Sequence, residues 1–488
     1  MLFNSLEYLI FYPVITILYF ILPHKARWAL LLAGSLYFYM AWKPEYVILM
    51  LASISISYIT GLKMGSIGQK EKRKKYLYLS LFVNLGLLAA FKYFNFFNES
   101  ARLLFNRLNI QYNVPGLDVL LPMGISFYTF QALSYSIDVY RGRIKPEKHF
   151  GIFALYVSFF PQLVAGPIER ADRLLPQFYN ENKFDYDRVT AGLKIMAGGF
   201  FKKVVVADRL GVAVSAIYNS PAEHNSIQFI LATVFFAFQI FYDFSGYSDI
   251  AIGSAKVMGI DLMKNFDRPY FSKSIAEFWR RWHISLSTWF KDYLYIPLGG
   301  NRVSKLRNYF NLFVTFLISG LWHGANWTFL VWGALHGAFS VTGRALSPLK
   351  QKAAGITRLY KLPSIYNAVR VLFTFSLVSF AWIFFRANTI SDALYIVSHL
   401  FSDLGKSTNF QYLATSVSSM GLTKFQLTIT ILGIIAIESV HLLERKRDMV
   451  EWLSSKPVII RWGIYSILVT VTFWLAFSET KQFIYFQF

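Results

Sequence analysis

Long apolar segments separated by short polar stretches recur along the whole chain. A transmembrane helix needs about 20 mostly apolar residues, and the pattern contains about a dozen such segments. The first, Ser5 to Leu22, has no basic stretch before it and ends at Pro23 without a small-residue cleavage site, so we interpret it as a retained span and not as a signal peptide. The others lie near 28–42, 46–62, 77–97, 119–140, 150–165, 190–217, 226–242, 307–341, 364–386, 424–442 and 457–478.

This pattern predicts an all-α, polytopic integral membrane protein of about 11–12 transmembrane helices, with further re-entrant or interfacial helices. No internal repeat, low-complexity tract or long linker divides the sequence. We therefore expect a single membrane domain over residues 1–488, located in the cell (plasma or inner) membrane and in contact with lipid.

The composition supports a membrane protein. Of the 488 residues, 55% are hydrophobic and only 16% are charged, whereas soluble domains have about 25% charged residues. We attribute the net charge of +22 to membrane topology and not to nucleic-acid binding, because the positive-inside rule places Lys and Arg clusters in the cytoplasm. Their alternation predicts an N-terminus on the outer side. These clusters are Lys25–Arg27, Lys70–Lys75, Arg141–Lys148, Arg302–Arg307, Arg344–Lys361 and Arg445–Arg447.

Several classes of chemistry are excluded by what the sequence lacks. There is no cysteine, which removes disulfides, thiolate metal sites and cysteine nucleophiles. There is also no P-loop, G-x-G-x-x-G, H-E-x-x-H or G-x-S-x-G motif. We expect neither a bound cofactor nor a metal.

The apolar segment Ile318–Gly337 carries polar residues that membrane helices tolerate only where they face protein or water. We interpret it as part of one helix, near residues 307–341, with His323 buried beside a stripe of small residues. On one helix His336 would lie about 220° from His323, so the two imidazoles should not share a face. The stripe consists of Gly320, Gly324, Gly333 and Gly337.

Three other segments place polar groups in or near apolar sequence. Glu277–Leu298, within an amphipathic or re-entrant stretch near 270–300, predicts an interfacial helix whose His283 could turn inward. Asp243 needs a partner, for which Arg280 or Arg281 is the expected choice. The two prolines and the glycine of Phe159–Arg170 predict a break in a helix, of the kind that lines a cavity.

Four long motifs, in this order, together resemble the membrane-bound O-acyltransferase (MBOAT) family. The likeness covers nearly the whole chain and is strongest to the bacterial branch that acetylates alginate and similar polysaccharides. The motifs are FFPQLVAGPIER (Phe159–Arg170), DFSGYSDIAIG (Asp243–Gly253), FWRRWHISLSTWFKDYLYIPLGGNR (Phe278–Arg302) and LWHGANWTFLVWGALHG (Leu321–Gly337), followed by FIYFQF (Phe483–Phe488).

The resemblance implies a membrane enzyme with a central tunnel, in which a thioester from the cytoplasm meets a hydroxyl group from the other side. His323 corresponds to the family's catalytic histidine. His283 falls where many relatives have a second polar residue, often Asn or Asp. The resemblance also implies an SGNH-type acetyltransferase partner, periplasmic or extracellular, that completes the modification of a polysaccharide.

The expected chemistry assigns each residue a part. A neutral, buried imidazole at His323 suits a general base, and a covalent acetyl-histidine is an open alternative. Asn326, at i+3, could orient His323, stabilise an oxyanion or only pack the helix; His283 could bind the thioester oxygen or orient the acceptor. If the donor is acetyl-CoA, its phosphates need cations. We expect Arg302, Lys305 and Arg307 to supply them, and Trp322, Trp327 and Asp243 to complete the substrate site.

Two other functions remain open. The sister branch, which transfers D-alanine from a carrier protein towards teichoic acid, is the alternative within the enzymes. A transporter or flippase without covalent chemistry would also have broken helices and buried charges.

Overall fold

The computed structural model describes residues 1–356, 361–445, 447–476 and 483–484, and within them the regular structure is entirely helical. Residues 357–360 of the basic cluster Arg344–Lys361, Lys446 of the cluster Arg445–Arg447 and residues 485–488 of the last motif lie outside this range. The chain forms two compact units, residues 1–196 with 247–263, and residues 197–246 with 264–488. Two helices, Tyr186–Phe200 and Ser226–Val257, contribute residues to both units.

The first unit is built from helices that follow one another along the chain and are separated in places by short 3₁₀ and π turns. They are Leu6–Ile21, His24–Met40, Pro44–Tyr46, Val47–Ser66, Lys70–Leu88, Ala89–Tyr93, Phe94–Arg107, Ile125–Arg141, Phe150–Ser158, Phe160–Leu163, Ala171–Leu174 and Leu175–Tyr179.

Most of the long helices of the second unit come after residue 304. Its helices and turns are Phe201–Ala207, Asp208–Tyr218, Pro221–Glu223, Pro269–Phe271, Ile275–Arg281, Ile284–Phe290, Lys291–Tyr295, Lys305–His323, Trp327–Ala345, Ser347–Ile356, Pro363–Arg386, Ile390–His399, Leu404–Thr408, Phe410–Ser418, Lys424–Leu443, Met449–Ser454 and Val458–Leu475.

Six of the helical stretches in the described residues are long and apolar enough to cross a membrane. This confirms a polytopic membrane protein, whereas the higher number of spans stays a prediction. In Val458–Leu475 none of the residues in the apolar window is buried. Since so much exposed apolar surface on one helix is stable only in lipid, the exposed side of this helix faces the bilayer. The six stretches are Pro44–Ser66, Lys70–Arg107, Ser226–Val257, Pro363–Arg386, Lys424–Leu443 and Val458–Leu475.

Small polar side chains join three neighbouring helices of the first unit. The hydroxyl group of Ser53 donates to Asn84 Oδ1 over 2.5 Å, and Asn84 Nδ2 donates to Ser57 Oγ over 3.1 Å. The hydroxyl groups of Ser80 and Ser136 lie 2.8 Å apart. Such interhelical hydrogen bonds hold helices together where lipid removes the hydrophobic driving force. The helices are Val47–Ser66, Lys70–Leu88 and Ile125–Arg141.

The predicted break in Phe159–Arg170 is confirmed. The helix Phe150–Ser158 ends and is followed by the single helical turn Phe160–Leu163, which has Pro161 near its start. Residues 164–170 have no helical structure. Because this irregular backbone is buried, its polar groups need partners. Gln162 Nε2 donates to the carbonyl of Tyr156 over 2.7 Å, and the buried Glu169 carboxylate accepts the N–H of Met263.

The prediction of one helix near 307–341 is wrong, because the chain turns back after His323. Lys305–His323 and Trp327–Ala345 form a helical hairpin, which we call the His323 hairpin. Its two helices are in close contact where Gly320 meets Gly333, since a Cβ atom on Gly333 would lie 3.1 Å from Gly320 Cα. The small-residue stripe therefore brings two helices together, as expected, but the helices are the two halves of the predicted single one.

The prediction of a single amphipathic helix near Glu277–Leu298 is also wrong. Two short helices, Ile275–Arg281 and Ile284–Phe290, meet at His283, whose backbone is left-handed with φ 44°. A non-glycine residue in this conformation is uncommon and often marks a functional position. The expectation that His283 turns inward is confirmed, because its side chain is fully buried.

Candidate active site

His323 ends the first helix of the hairpin and lies in an aromatic environment. Its side chain is 3% exposed. Its ring centroid lies 5.0 Å from that of Trp322, 4.9 Å from Trp332 and 5.5 Å from Phe385, and each ring meets it edge to face. The backbone becomes extended at Gly324, so the imidazole stands at a helix end and not in the middle of a span.

His283 is held in one orientation by Asn265, a residue that sequence reasoning did not select. Asn265 Oδ1 lies 3.1 Å from His283 Nδ1 and accepts from both the hydroxyl group (2.9 Å) and the backbone N–H (3.3 Å) of Ser285. Since a backbone N–H can only donate, this atom is the amide oxygen. His283 Nδ1 therefore carries the proton, and Nε2 presents its lone pair.

Burial keeps His283 uncharged. The side chain lies outside the spanning helices, is fully buried, and meets the ring of Phe244 edge to face at 4.6 Å. Desolvation lowers the pKa of His283 to about 3, because burial penalises the imidazolium form. A neutral ring with its lone pair on Nε2 can accept a hydrogen bond or a proton there, and it cannot donate from that atom.

Trp322 links the two histidines. Its ring centroid lies 6.1 Å from His283 and 5.0 Å from His323. It is 4% exposed, whereas Trp327 is 55% exposed. Of the two tryptophans expected at the substrate site, only Trp322 therefore lies between the histidines.

Asn326 does not sit one turn beyond His323 on the same helix. It caps the second helix of the hairpin: Oδ1 accepts the N–H of Thr328 over 3.0 Å, and Nδ2 donates to the carbonyl of Asn388 over 3.2 Å. An Asn that precedes an apolar helix is a common N-cap signal, which the sequence contained. The premise that Asn326 orients His323 from i+3 is wrong.

The prediction that Arg280 or Arg281 pairs with Asp243 is also wrong. Lys203 Nζ lies 2.7 Å from Asp243 Oδ1 and 2.9 Å from Asp208 Oδ1, and all three side chains are at most 5% exposed. Arg281 instead pairs with Glu277 over 2.7 Å, and Arg280 is exposed.

The buried charges also hold a remote part of the chain. Asp243 Oδ2 accepts the backbone N–H of Ile484 over 2.8 Å, and the ring of Phe483 lies 5.5 Å from that of Phe244. Phe244 is the residue that contacts His283. Asp243 thus holds Phe483 and Ile484, the two described residues of the last motif, against Phe244, which in turn packs on His283.

The basic residues Arg302, Lys305 and Arg307 are exposed at the start of the first hairpin helix. That helix has 19 residues, so this end lies about 27 Å from His323 at 1.5 Å per residue. Asn308 Nδ2 donates to the carbonyl of Gly300 over 2.7 Å, which fixes the loop before the helix. The structure therefore separates a cationic end from a histidine end along one rigid helix.

Comparison with known proteins gives a consistent result. The sequence profile of the membrane-bound O-acyltransferase family matches residues 148–385. The chain is 40% identical to the probable alginate O-acetylase AlgI of Pseudomonas putida over 82% of this chain and 80% of that protein. It is 37% identical to the peptidoglycan O-acetyltransferase of Helicobacter pylori over 81% and 79%. A teichoic acid D-alanyltransferase of Streptococcus thermophilus is 32% identical over 44% of this chain and 55% of its own length.

The matched range includes His283, His323 and Asp243. The identity to the alginate O-acetylases extends well beyond that range, over most of both chains. With its spanning helices and its two buried histidines on either side of Trp322, the chain belongs to the membrane-bound O-acyltransferase family, in the alginate O-acetylase branch, and is a multi-pass membrane acyltransferase.

Proposed function

We propose that this protein moves an acetyl group from cytoplasmic acetyl-CoA across the membrane for the O-acetylation of an exported or cell-wall polysaccharide, with His323 as general base. The observation that carries the proposal is the arrangement along the helix Lys305–His323. A buried imidazole stands at one end, and a cluster of exposed cations begins the other. A donor whose charged phosphates and reactive thioester lie at opposite ends of the molecule, such as acetyl-CoA, has the same arrangement of charge and reactive group.

In the proposed transfer, His323 is the only group that carries the proton from the acceptor hydroxyl to the leaving thiolate. The acceptor hydroxyl oxygen attacks the thioester carbonyl carbon while His323 takes the hydroxyl proton. A new C–O bond forms, the C–S bond breaks, and the leaving coenzyme A thiolate takes the proton from the imidazolium. His323 returns to its neutral form, so that one cycle consumes one thioester and forms one ester and one thiol.

His283 has a different part in this scheme. Because Asn265 fixes the proton on Nδ1, the lone pair on Nε2 can accept a hydrogen bond from the incoming hydroxyl group. The same lone pair would repel a thioester oxygen. The geometry therefore favours acceptor orientation by His283 over binding of the thioester oxygen.

The acceptor is proposed from the relatives. Proteins named alginate O-acetylase and peptidoglycan O-acetyltransferase align over about four fifths of this chain, whereas the named D-alanyltransferase aligns over 44% of it. This supports acetylation of an alginate-like polysaccharide over D-alanyl transfer. As the family resemblance implies, an SGNH-type partner, periplasmic or extracellular, would receive the acetyl group and complete the reaction. If no such partner co-purifies with this protein from the native membrane, that result would count against this step.

The test uses purified full-length protein with radiolabelled acetyl-CoA and an alginate-like polysaccharide as the hydroxyl acceptor. Wild type should consume the thioester, and His323→Ala should lose at least about 100-fold in turnover while it remains folded. His399→Ala is the matched control, because His399 also ends a helix but lies outside the site. Equal turnover in both variants would refute the general base. Movement of substrate without thioester consumption would support a transporter, and turnover only with a D-alanyl carrier would support the sister activity.

A further inference from the structure

Two N–H groups on one face of the helix Trp327–Ala345 are buried, one of them on the ring of Trp332 next to His323, and neither has a part in the mechanism above. Trp332 and His336 are four residues apart, which places them on the same face. Both side chains are 0% exposed, and their ring centroids lie 4.8 Å apart. The ring centroid of Trp332 lies 4.9 Å from that of His323.

The tautomer of His336 is set by Trp279. The indole Nε1–H of Trp279 donates to His336 Nδ1 over 3.2 Å. An indole nitrogen can only donate, so Nδ1 must carry the lone pair. The neutral ring therefore has its proton on Nε2, and His336 is a hydrogen-bond donor at that atom.

Neither donor is satisfied by the described part of the protein. Trp332 Nε1 and His336 Nε2 are buried and have no hydrogen-bond partner among the residues that the structure describes. Buried donors without a partner are rare and call for an explanation. A partner is reachable within the same stack, because Trp382, which stacks on Trp332 at 5.7 Å, donates its own Nε1–H to the hydroxyl group of Tyr270 over 3.2 Å.

We propose that the Nε1–H of Trp332 and the Nε2–H of His336 bind the carbonyl oxygen of the acyl group that His323 helps to transfer. The inference rests on the proposed function and adds the groups that receive the developing charge. When the acceptor oxygen attacks the carbonyl carbon, the π electron pair of the C=O bond moves onto that oxygen. Two fixed donors on buried side chains stabilise this oxyanion more than they stabilise the neutral thioester.

This assignment is consistent with the rest of the site. His283 presents a lone pair and cannot donate from Nε2. Both side-chain polar atoms of Asn326 already bind backbone groups. Trp332 lies next to the proposed base, so that a carbonyl bound to it would be within reach of a hydroxyl group held by the histidines.

The experiment compares Trp332→Phe with Trp382→Phe in the full-length protein. Both replacements remove one indole from the same stack, but only the first removes an N–H that lacks a described partner. Trp332→Phe should lower kcat for acetyl transfer at least about 100-fold with little change in KM, as expected for the loss of an oxyanion donor. Trp382→Phe should stay within a few-fold of wild type per folded molecule.

A second readout does not depend on turnover. The infrared carbonyl band of acetyl-CoA labelled with ¹³C at the carbonyl is recorded with the protein in the His323→Ala background. The band should shift to lower frequency on binding, and adding Trp332→Phe should reverse the shift while adding Trp382→Phe should not. If Trp332→Phe does not fold, His336 gives the test. His336→Leu should abolish turnover, whereas His336→Gln, whose amide can accept from Trp279 and still donate, should retain much of it.

The outcomes separate the two proposals. An active wild type in which Trp332→Phe or His336→Leu loses only stability would overturn the inference alone and would indicate a donor that holds a structural water. A wild type that neither binds nor consumes acetyl-CoA would overturn the proposed function, and this inference with it.

Discussion

Lys203 Nζ lies 2.7 Å from a carboxylate oxygen of Asp243, and both side chains are at most 4% exposed. The two residues are far apart in the sequence, and the same ammonium group also contacts Asp208 over 2.9 Å. One cation thus compensates two buried carboxylates, and one of these carboxylates holds the backbone of Ile484.

Removal of this cation should be severely destabilising. Lys203→Met leaves two carboxylates buried without their cation, and breaking a buried pair in this way costs about 3–5 kcal/mol. Thermal unfolding of the detergent-solubilised protein measures the loss. Lys406→Met is the control, because Lys406 pairs with Asp403 over the same 2.7 Å but is 65% exposed; it should leave the stability nearly unchanged. Similar losses in the two variants would contradict the buried cluster.

Close contact within the His323 hairpin predicts a position-specific effect of one methyl group. In Gly333→Ala the new Cβ would lie 2.5 Å from the carbonyl oxygen of Phe316, so the helices must separate. We expect a loss of about 1–3 kcal/mol, as for other overpacked sites, and reduced turnover. Gly343→Ala on the same helix meets no atom within 4 Å and should gain about 0.5–1 kcal/mol from helix propensity. Equal effects on unfolding would show that the hairpin is not tightly packed there.

Loss of the cationic cluster should weaken donor binding without changing the chemical step. The triple variant Arg302→Ala, Lys305→Ala and Arg307→Ala should raise KM for acetyl-CoA about 10-fold or more, with kcat nearly unchanged, and should reduce the dependence of KM on salt. Steady-state kinetics at two ionic strengths tests this. Lys424→Ala, at an exposed lysine that begins another helix, is the control. Unchanged donor affinity in the triple variant would remove the cluster from the site.

The orientation of His283 by Asn265 predicts a change in the pH profile. In Asn265→Asp a carboxylate would lie about 3 Å from Nδ1 and raise the pKa of His283. In wild type burial lowers that pKa to about 3, so His283 stays neutral across the working range. In the variant it would become protonated as the pH falls, and the acid-side loss of activity should move to higher pH. Asn265→Ala should lower kcat without this movement. An unshifted profile in Asn265→Asp would mean that His283 is not engaged in the reaction.

Sequence alone predicted the features that depend on local composition. The spanning segments follow from apolar runs, the break after Ser158 follows from Pro161, and the burial of His283 follows from its apolar neighbours. The turn after His323 was missed, because Gly-Ala-Asn is short and apolar residues continue on both sides of it. Its Asn N-cap was the available signal.

The parts that depend on distant residues could not be read from local patterns. The pairing of Asp243 with Lys203 is a tertiary contact, and a nearby arginine was the reasonable choice in its absence. The left-handed backbone of His283 and its bond to Asn265 arise from packing between segments. In both cases the polar residue was recognised and its partner was not.

The end of the helix Lys305–His323 has an electrostatic consequence for catalysis. Aligned peptide dipoles give the carboxyl end of a helix a partial negative charge, which favours a cation there by about 0.3–1 kcal/mol, and by up to about 2 kcal/mol in partly buried sites. His323 is the last residue of that helix. The imidazolium that the proposed mechanism forms at His323 would therefore arise where the backbone itself attracts positive charge.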